Sequence, residues 1–279
     1  MRGLHGHLEL VATADSRGDT LLAHQSFAAP IHISKPHRDS GWLVVNMVSP
    51  SPGLLAGDTV NIDVKVRNSA RLALTAPSAS RIHTMRAGES AMVSQVYCVE
   101  SGALLDVFPE YVIPQADATY VQKSRIEVAD GGMLMWTESF APGRAARGEV
   151  FAFREMRIST DITWKGRLLV RERSHLGANH PSVDALRYRF PEAYYASIAC
   201  IFPKPLDARP TIRFLTAALS SKTALIGFSE LADGVILVRV VALDSPSLRS
   251  IVTFVRQQLF TLMGIPVPNP RRVTGDNAA

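Results

Sequence analysis

Three glutamates with the chemistry and spacing for catalysis lie in the middle of the chain, at positions 110, 138 and 149. Two carboxylates held at a suitable separation can act as acid and base in glycoside hydrolysis. Glu110 paired with Glu138 or Glu149 would therefore fit a β-solenoid carbohydrate-active enzyme. That hypothesis predicts a groove lined by stacked aromatic side chains and a secreted protein. Aromatic residues make up only 7% of the sequence, which argues against it.

Other catalytic and metal-binding patterns are weak or missing from the sequence. The segment His5-Gly6-His7 could place two imidazoles on one side of an extended strand and hold a divalent metal, but incidental histidines at a mobile terminus are commoner. The sequence has no glycine-rich loop ending in Gly-Lys-Ser/Thr, no Cys-x-x-Cys, no His-Glu-x-x-His and no Gly-x-Ser-x-Gly. We therefore expect no nucleotide hydrolysis by this chain and no tightly bound cofactor.

Polar residues follow three copies of one short pattern, and the pattern indicates what positions them. Each copy reads apolar, any, Asn/Ser/Asp, Ser/Gly, Ala/Gly, any, Leu, any, apolar, beginning at Val66, Val99 and Val128. A strand, a tight turn of small residues and a second strand would recur as a unit, and stacked units would bring their polar exits to one edge. Those exits are Ser78, Ser80, Arg81, Pro109, Glu110, Glu138, Arg144 and Arg147. We expect function at that edge.

Composition is typical of a globular, cytosolic protein. The 279 residues are 47% hydrophobic, enough to bury a core without disulfides or metals. Cys98 and Cys200 are the only cysteines, as expected in a reducing compartment. No signal peptide is apparent, and the most apolar segment, residues 235–243, is short and contains Arg239. We expect a cytoplasmic protein with no membrane span.

The basic character of the chain does not indicate nucleic-acid binding. The formal charge is +5 and the sequence pI is about 9.4, but the lysines and arginines are scattered and form no stripe with aromatic residues. Arginine outnumbers lysine, and its guanidinium suits forked pairing with carboxylates across protein interfaces. Codon bias alone could also produce this excess of arginine, so the composition disfavours nucleic-acid binding without selecting a partner.

The predicted fold class is mainly β, with stacked β-solenoid-like or helicoid sheet layers and two α-helices in the C-terminal third. Period-two alternation, as in residues 60–67, indicates strands across a β-repeat region at 20–175. A hairpin (224–228 and 235–241) and two helices (211–219, and one capped by Ser245 and ended by Gly264) would pack on it within 205–265. Residues 177–195 are predicted as loop and 266–279 as a flexible tail. One domain, 1–279, is expected.

Five loop motifs in this order resemble the UreD (UreH) family of urease accessory proteins. They are residues 52–58 with Gly57-Asp58, 74–83 with Ser80-Arg81-Ile82-His83, 105–114, 136–151 with Gly143-Arg144-Ala145-Ala146-Arg147-Gly148-Glu149, and 168–173. The resemblance is good over residues 20–175 and holds in outline for the last third. Arg81 stands where the family usually has lysine, which is typical of a divergent member.

The resemblance implies a non-enzymatic scaffold for urease maturation. Members bind apo-urease on one side and, on the other, a helical UreF-like protein that recruits a UreG-like GTPase carrying nickel. Nickel would pass transiently through the scaffold towards the urease active site. A separate GTPase agrees with the missing phosphate loop. A plain interaction module without metal traffic is the alternative.

The resemblance also selects residues for the nickel route. Transient passage needs spaced carboxylates and hydroxyls rather than a closed ligand cage. The first candidates for lining are Asp58, Ser80, Glu138 and Glu172, followed by Glu110 and Glu149, with Arg81 and Arg144 as further lining or partner contacts. Each has a structural alternative: Asp58 satisfying turn amides, Glu149 pairing with Arg144 or Arg147, and Glu172 as a solvated charge.

Overall fold

A computed structural model describes residues 3–178, 181–202, 207–219, 223–232 and 234–270. The described strands are, in chain order, β1 (His5–Ala14), β2 (Thr20–Ala28), β3 (His32–Ile33), β4 (His37–Asp39), β5 (Trp42–Val48), β6 (Thr59–Val66), β7 (Arg71–Ala76), β8 (Ser80–Ile82), β9 (Ala91–Val99), β10 (Leu104–Pro109), β11 (Val112–Pro114), β12 (Thr119–Val128), β13 (Met133–Phe140), β14 (Glu155–Trp164), β15 (Arg167–Leu176), β16 (Tyr194–Ile201), β17 (Ala224–Ala232) and β18 (Val235–Ala242). The helices are α1 (Pro181–Arg189), α2 (Arg209–Ala218) and α3 (Ser245–Met263).

Two sheets form the body of the protein. The first has seven strands in the order β15-β14-β12-β9-β6-β1-β2, and the second is built on the path β17-β18-β16-β13-β10-β7-β5-β3. Neighbours from β1 to β14 in the first sheet are parallel, as are β5, β7, β10 and β13 in the second. The mainly β, solenoid-like stack expected from the sequence is confirmed. Strand β1, which precedes the predicted β region, is also part of it.

The three sequence repeats are the units of this stack. In each unit one strand of the first sheet (β6, β9 or β12) leads through a tight turn to a strand of the second sheet (β7, β10 or β13). The turns lie on one another: the Gly102 N–H donates to the Gly131 carbonyl oxygen at 3.0 Å. Ser69, Gly102 and Gly131 all have positive φ. Small turn residues are required because a Cβ on Gly131 would lie 2.6 Å from the Ser101 hydroxyl oxygen.

Two apolar cores result, one on each face of the second sheet. Residues such as Leu72 and Leu74 face the first sheet, and Ala73 between them faces the helices. This explains why strands of the second sheet have continuous apolar runs, while those of the first alternate. On α3, the side chains of Leu248, Val252, Val255 and Leu259 are buried in the second core.

A buried ion pair joins α3 to the second sheet. Both oxygens of Asp106 on β10 accept hydrogen bonds from the Arg256 Nη2 at 2.8 Å, and Arg256 Nη1 donates to the Thr137 hydroxyl at 3.0 Å. The guanidinium also lies 4.0 Å from the ring centre of Phe108. Both charged side chains are only 3% exposed. The pair therefore fixes the position of the helix on the sheet.

The helices differ from the sequence prediction in two respects. Helix α1 lies inside the segment predicted as loop, so the described residues contain three helices and not two. Its weak amphipathic pattern hid it, although Asp184 near its start and Arg187 and Arg189 at its end complement the helix dipole. The cap of α3 is Asp244, one residue before the predicted Ser245: its carboxylate accepts from the Ser247 N–H at 2.7 Å. The end at Gly264 is confirmed.

The remaining predictions for the last third agree in outline. Helix α2 and the β17–β18 hairpin occupy the expected segments, although Asp233 in the predicted turn lies outside the described residues. Most of the predicted tail, residues 271–279, also lies outside them. The part that is described is packed, because Trp42 Nε1 donates to the Pro266 carbonyl oxygen at 2.9 Å. Within the described ranges, no helix combines the length and hydropathy needed to cross a bilayer.

Replacing Gly131 by alanine should destabilise the stack by about 2 kcal/mol. The left-handed backbone alone costs an L-residue roughly 1 kcal/mol, and the contact with Ser101 adds to this. Gly88 is the matched control: its φ is +85°, but a Cβ there meets nothing within 4 Å. Urea unfolding of Gly131→Ala and Gly88→Ala measures both. Equal losses would show that stacking of the turns adds nothing.

Breaking the buried ion pair between Asp106 and Arg256 should destabilise the protein more than Gly131→Ala does. Arg256→Ala leaves the Asp106 carboxylate buried without its charge partner and should lower the free energy of unfolding by about 3–5 kcal/mol. The double variant Asp106→Leu/Arg256→Met should lose less than Arg256→Ala. Arg38→Ala, which removes an exposed pair with Asp19 at 2.7 Å, should change stability by less than about 1 kcal/mol. A double variant less stable than Arg256→Ala would contradict this.

Candidate functional site

A cavity of about 180 Å³ lies between the two sheets. Its outer part is lined by exposed residues of loops and strand ends, including Ser49, Ser80 and Arg81, and Glu110 lies beside them. Its inner part is lined by the buried side chains of Tyr120, Gln122, Trp136 and Glu138. The cavity thus leads from the surface to a polar group inside the protein.

Glu138 on β13 is the charged group at the inner end. Its Oε1 accepts from the Gln122 amide nitrogen at 2.7 Å, and its Oε2 accepts from the Thr160 hydroxyl at 2.8 Å. The residue is only 6% exposed. Burial raises the pKa of Glu138 to about 7, the Thr160 hydrogen bond opposes the rise, and the negative charge of Glu172 adds to it. The Glu138 carboxyl therefore changes between its protonated and ionised forms near neutral pH.

Glu172 on β15 lies next to Glu138 at the outer end of the same polar region. Its Oε1 accepts from Arg239 Nε at 2.7 Å, and its Oε2 accepts from the Ser197 hydroxyl at 2.7 Å. The Glu172 side chain is 15% exposed, whereas that of Arg239 is 48% exposed. This end of the polar region therefore reaches solvent.

Strand register brings these residues together. In the first sheet, Gln95, Ser124, Thr160 and Glu172 are successive cross-strand neighbours on β9, β12, β14 and β15. In the second sheet, Glu138, Ser197 and Arg239 are cross-strand neighbours on β13, β16 and β18. The two rows are linked through Thr160–Glu138 and Ser197–Glu172. We call Gln122, Glu138, Thr160, Glu172, Ser197 and Arg239 the polar corridor.

Comparison with known proteins decides the family. The sequence model of the family described as "UreD urease accessory protein" matches residues 4–274. This chain belongs to the UreD family. Curated UreD proteins are similar over most of their length. That of Opitutus terrae is 34% identical over 274 residues, covering 96% of this chain and 98% of the relative. That of Acetivibrio thermocellus is 26% identical, covering 88% and 94%.

Family membership gives the chain a role in urease maturation as an accessory protein. Within the corridor, the residues are held by hydrogen bonds to one another. The glutamates of the carbohydrate-enzyme hypothesis are likewise engaged. Arg249 binds both oxygens of Glu110, at 2.7 and 2.9 Å, and Arg144 binds those of Glu149.

Ser80, Arg81, Glu110 and Glu138 line the cavity together, as the predicted polar edge requires. Glu172 continues the corridor and is not a freely solvated charge, since Arg239 and Ser197 bind it. Their part in a nickel route stays a prediction.

Asp58, Glu149 and Arg144 lie elsewhere. The Asp58 carboxylate accepts from the backbone N–H groups of Leu4 and Leu55, at 2.8 and 2.7 Å, which matches its structural alternative as a turn residue. Arg144 pairs with Glu149, lowering the pKa of that carboxyl, and Glu149 also accepts from the Ala116 N–H at 3.1 Å. These contacts shape loops next to the stack and leave the three side chains outside the cavity lining.

The histidine pair shows no cage for a metal. His5 Nδ1 lies 2.7 Å from the Thr59 hydroxyl oxygen and His7 Nε2 lies 2.8 Å from that of Ser26. Both histidines are in β1, so the expected mobile terminus is a strand of the first sheet. Over the described ranges, no group of three or more His, Cys, Asp or Glu residues could hold a metal ion.

The sequence predicted Glu138 and Glu172 but not the other four of the six corridor residues, Gln122, Thr160, Ser197 and Arg239. A signal was present in β12, where Tyr120, Gln122, Ser124 and Ile126 share the buried phase of the alternation. Two polar residues in the middle of a buried phase indicate an internal hydrogen-bond network, because isolated polar groups are costly to bury.

The raised pKa of Glu138 predicts a specific pH dependence of stability. The native carboxyl holds its proton up to about pH 7, whereas an ordinary glutamate loses it near 4.5. The contribution of Glu138 to stability should therefore fall as the pH rises from about 4.5 to 7, by about 3 kcal/mol in total. Glu138→Gln should flatten this part of the profile, measured by urea unfolding at pH 5 and 8. Glu127→Gln, on the outer face of β12, is the control and should keep the parent slope. If Glu138→Gln changes in stability between pH 5 and 8 as the parent does, the assignment of this effect to Glu138 is wrong.

Proposed function

We propose that this chain is a cytoplasmic nickel-insertion scaffold for urease. It binds apo-urease and a UreF-like helical protein, and through the latter a UreG-like GTPase. Nickel is the cargo, held transiently and never as a resident cofactor. The observation that supports this most directly is the chain of buried polar groups leading from the cavity to Glu172 and Arg239 at the surface.

The chemistry of the corridor suits a cation that must keep moving. Nickel accepts oxygen donors, and a site with one carboxylate at a time, supported by neutral amide and hydroxyl groups, holds it weakly. Glu138 can lose its proton to water as a cation arrives near neutral pH, because its pKa is about 7. Glu172 provides the next carboxylate. The apolar walls between the sheets, such as Val60, Ile62 and Val107, keep competing charges away.

The second candidate is an interaction module without metal traffic. It is favoured by the ion pairs of Glu110 with Arg249 and Glu172 with Arg239, because each occupies a carboxylate that a cation would need. Both candidates predict binding to urease, and they differ only in nickel passage.

Replacing the two corridor carboxylates separates the candidates. In a strain with the urease and accessory genes, Glu138→Gln/Glu172→Gln should lower the nickel content of purified urease on the order of tenfold, since ligand-sphere changes commonly cost that much in metal binding. Glu127→Gln is the matched control and should leave nickel content unchanged. Co-purification of the tagged chain with urease and the accessory proteins should be the same for all variants.

Two results would count against the proposal. Full nickel content in the double variant would remove the route through Glu138 and Glu172 and favour the interaction module. If the parent chain fails to co-purify with urease, the scaffold role itself is wrong.

A further inference from the structure

At the outer end of the corridor, Arg239 occupies the place beside Glu172 where a cation would bind. Its Nε lies 2.7 Å from Glu172 Oε1, and the Ser197 hydroxyl takes Oε2 at the same distance. Both carboxylate oxygens are thus engaged. A divalent ion reaching Glu172 would meet a guanidinium already bound there.

A guanidinium blocks a cation in two ways. It satisfies the carboxylate that would serve as ligand, and it repels a like charge at short range. Arginine also stays protonated at any physiological pH, so a change of pH cannot remove this block. The cation can pass only if the side chain moves.

The surroundings of Arg239 allow such a movement. Its side chain is 48% exposed, in contrast to 3% for Arg256 in the structural ion pair. Its cross-strand neighbour on β17 is Gly227, where an added Cβ would meet no atom within 4 Å. Strand β17 therefore places no side chain at the position paired with Arg239.

The contact between Arg239 and Glu172 is also one that a competing carboxylate can replace. The bond to Glu172 runs from Nε to one oxygen, and Tyr195 is a further side-chain hydrogen-bond partner of Arg239. In contrast, Arg249 binds both oxygens of Glu110 through its two Nη atoms. Forked guanidinium–carboxylate pairs are stronger and better oriented than single contacts. A carboxylate supplied from outside could offer Arg239 the forked geometry that Glu172 does not.

We propose that Arg239 is a gating residue, which closes the corridor at Glu172 until apo-urease docks and swings outward when a carboxylate of the docked urease binds its guanidinium. This inference rests on the proposed nickel route. It assigns the partner surface facing Arg239 an Asp or Glu side chain. Passage of the cation is thereby coupled to assembly, and the ion is not lost to solvent from the unassembled chain.

Ni²⁺ binding to the purified full-length chain tests the gate without any partner. Arg239→Gln removes the competing cation and should tighten the Ni²⁺ dissociation constant about tenfold, measured by competition with a metal-binding dye; tenfold corresponds to about 1.4 kcal/mol. Arg239→Lys keeps the positive charge and should bind Ni²⁺ like the parent. Arg38→Gln, which removes the exposed arginine paired with Asp19, is the matched control and should have no effect. The double variant Glu172→Gln/Arg239→Gln should not show the tighter Ni²⁺ binding of Arg239→Gln, because it lacks the carboxylate ligand.

A second measurement uses the assembled accessory complex loaded with Ni²⁺, without urease. Release of the ion to the dye should be about tenfold faster for Arg239→Gln than for the parent complex. Circular dichroism and thermal unfolding show whether each variant is folded. If Arg239→Gln is not folded, Arg239→Lys is compared with the parent instead.

The possible failures are distinguishable. Unchanged affinity and release for Arg239→Gln, together with reduced nickel delivery by Glu138→Gln/Glu172→Gln, would overturn the gate and leave the proposed route intact. Weaker Ni²⁺ binding by Arg239→Gln would also overturn the gate, because it would make Arg239 a residue that positions Glu172. Normal nickel delivery by the double carboxylate variant would remove the route and the gate with it.

Discussion

Strand register is the constraint on which the site depends. From β6 to β14 the parallel strands of the first sheet stack without a shift, so a given inward position on one strand faces the same layer as its neighbours. A polar residue at that position on several strands becomes a continuous row across the sheet. One residue of slippage on β12 would turn Gln122 and Ser124 outward and bring Lys123 and Arg125 into the core, since side chains alternate along a strand. The tight turns with small residues secure the register at one end of each unit.

Two buried acidic groups of the second sheet are stabilised in opposite ways. Asp106 faces the helices, where a full countercharge from Arg256 binds both of its oxygens. Glu138 faces the first sheet, where neutral donors hold it and no arginine binds it in the described part of the chain. The first arrangement is rigid and suits the attachment of a helix. The second leaves the charge of the carboxyl adjustable, which is useful in a group that meets a mobile cation.

Local sequence patterns predicted much of the fold and only part of the site. The repeated turns, the alternation in β6 and the apolar face of α3 are signals within a few residues, and each was found. Helix α1 was missed because its residues lack a strong apolar periodicity. The site is harder, since Gln122, Thr160, Ser197 and Arg239 come from four different strands and meet only after both sheets have formed. The repeat pattern already indicated Glu138. Family resemblance added Glu172, but it also selected Asp58, whose carboxylate accepts hydrogen bonds from backbone amides.

The attachment of α3 has a consequence for biosynthesis. Helix α3 covers the outer face of the second sheet, where Ala73, Met135 and Cys200 are buried. It is held by Arg256 to Asp106, and the segment beyond it is held by Trp42, contacts that join residues 150 and 224 positions apart. In a chain emerging from the ribosome, strands β5, β7, β10 and β13 of this sheet therefore exist long before the helix that shields them. During that interval an apolar surface is open to other nascent chains, so aggregation competes with the last step of folding.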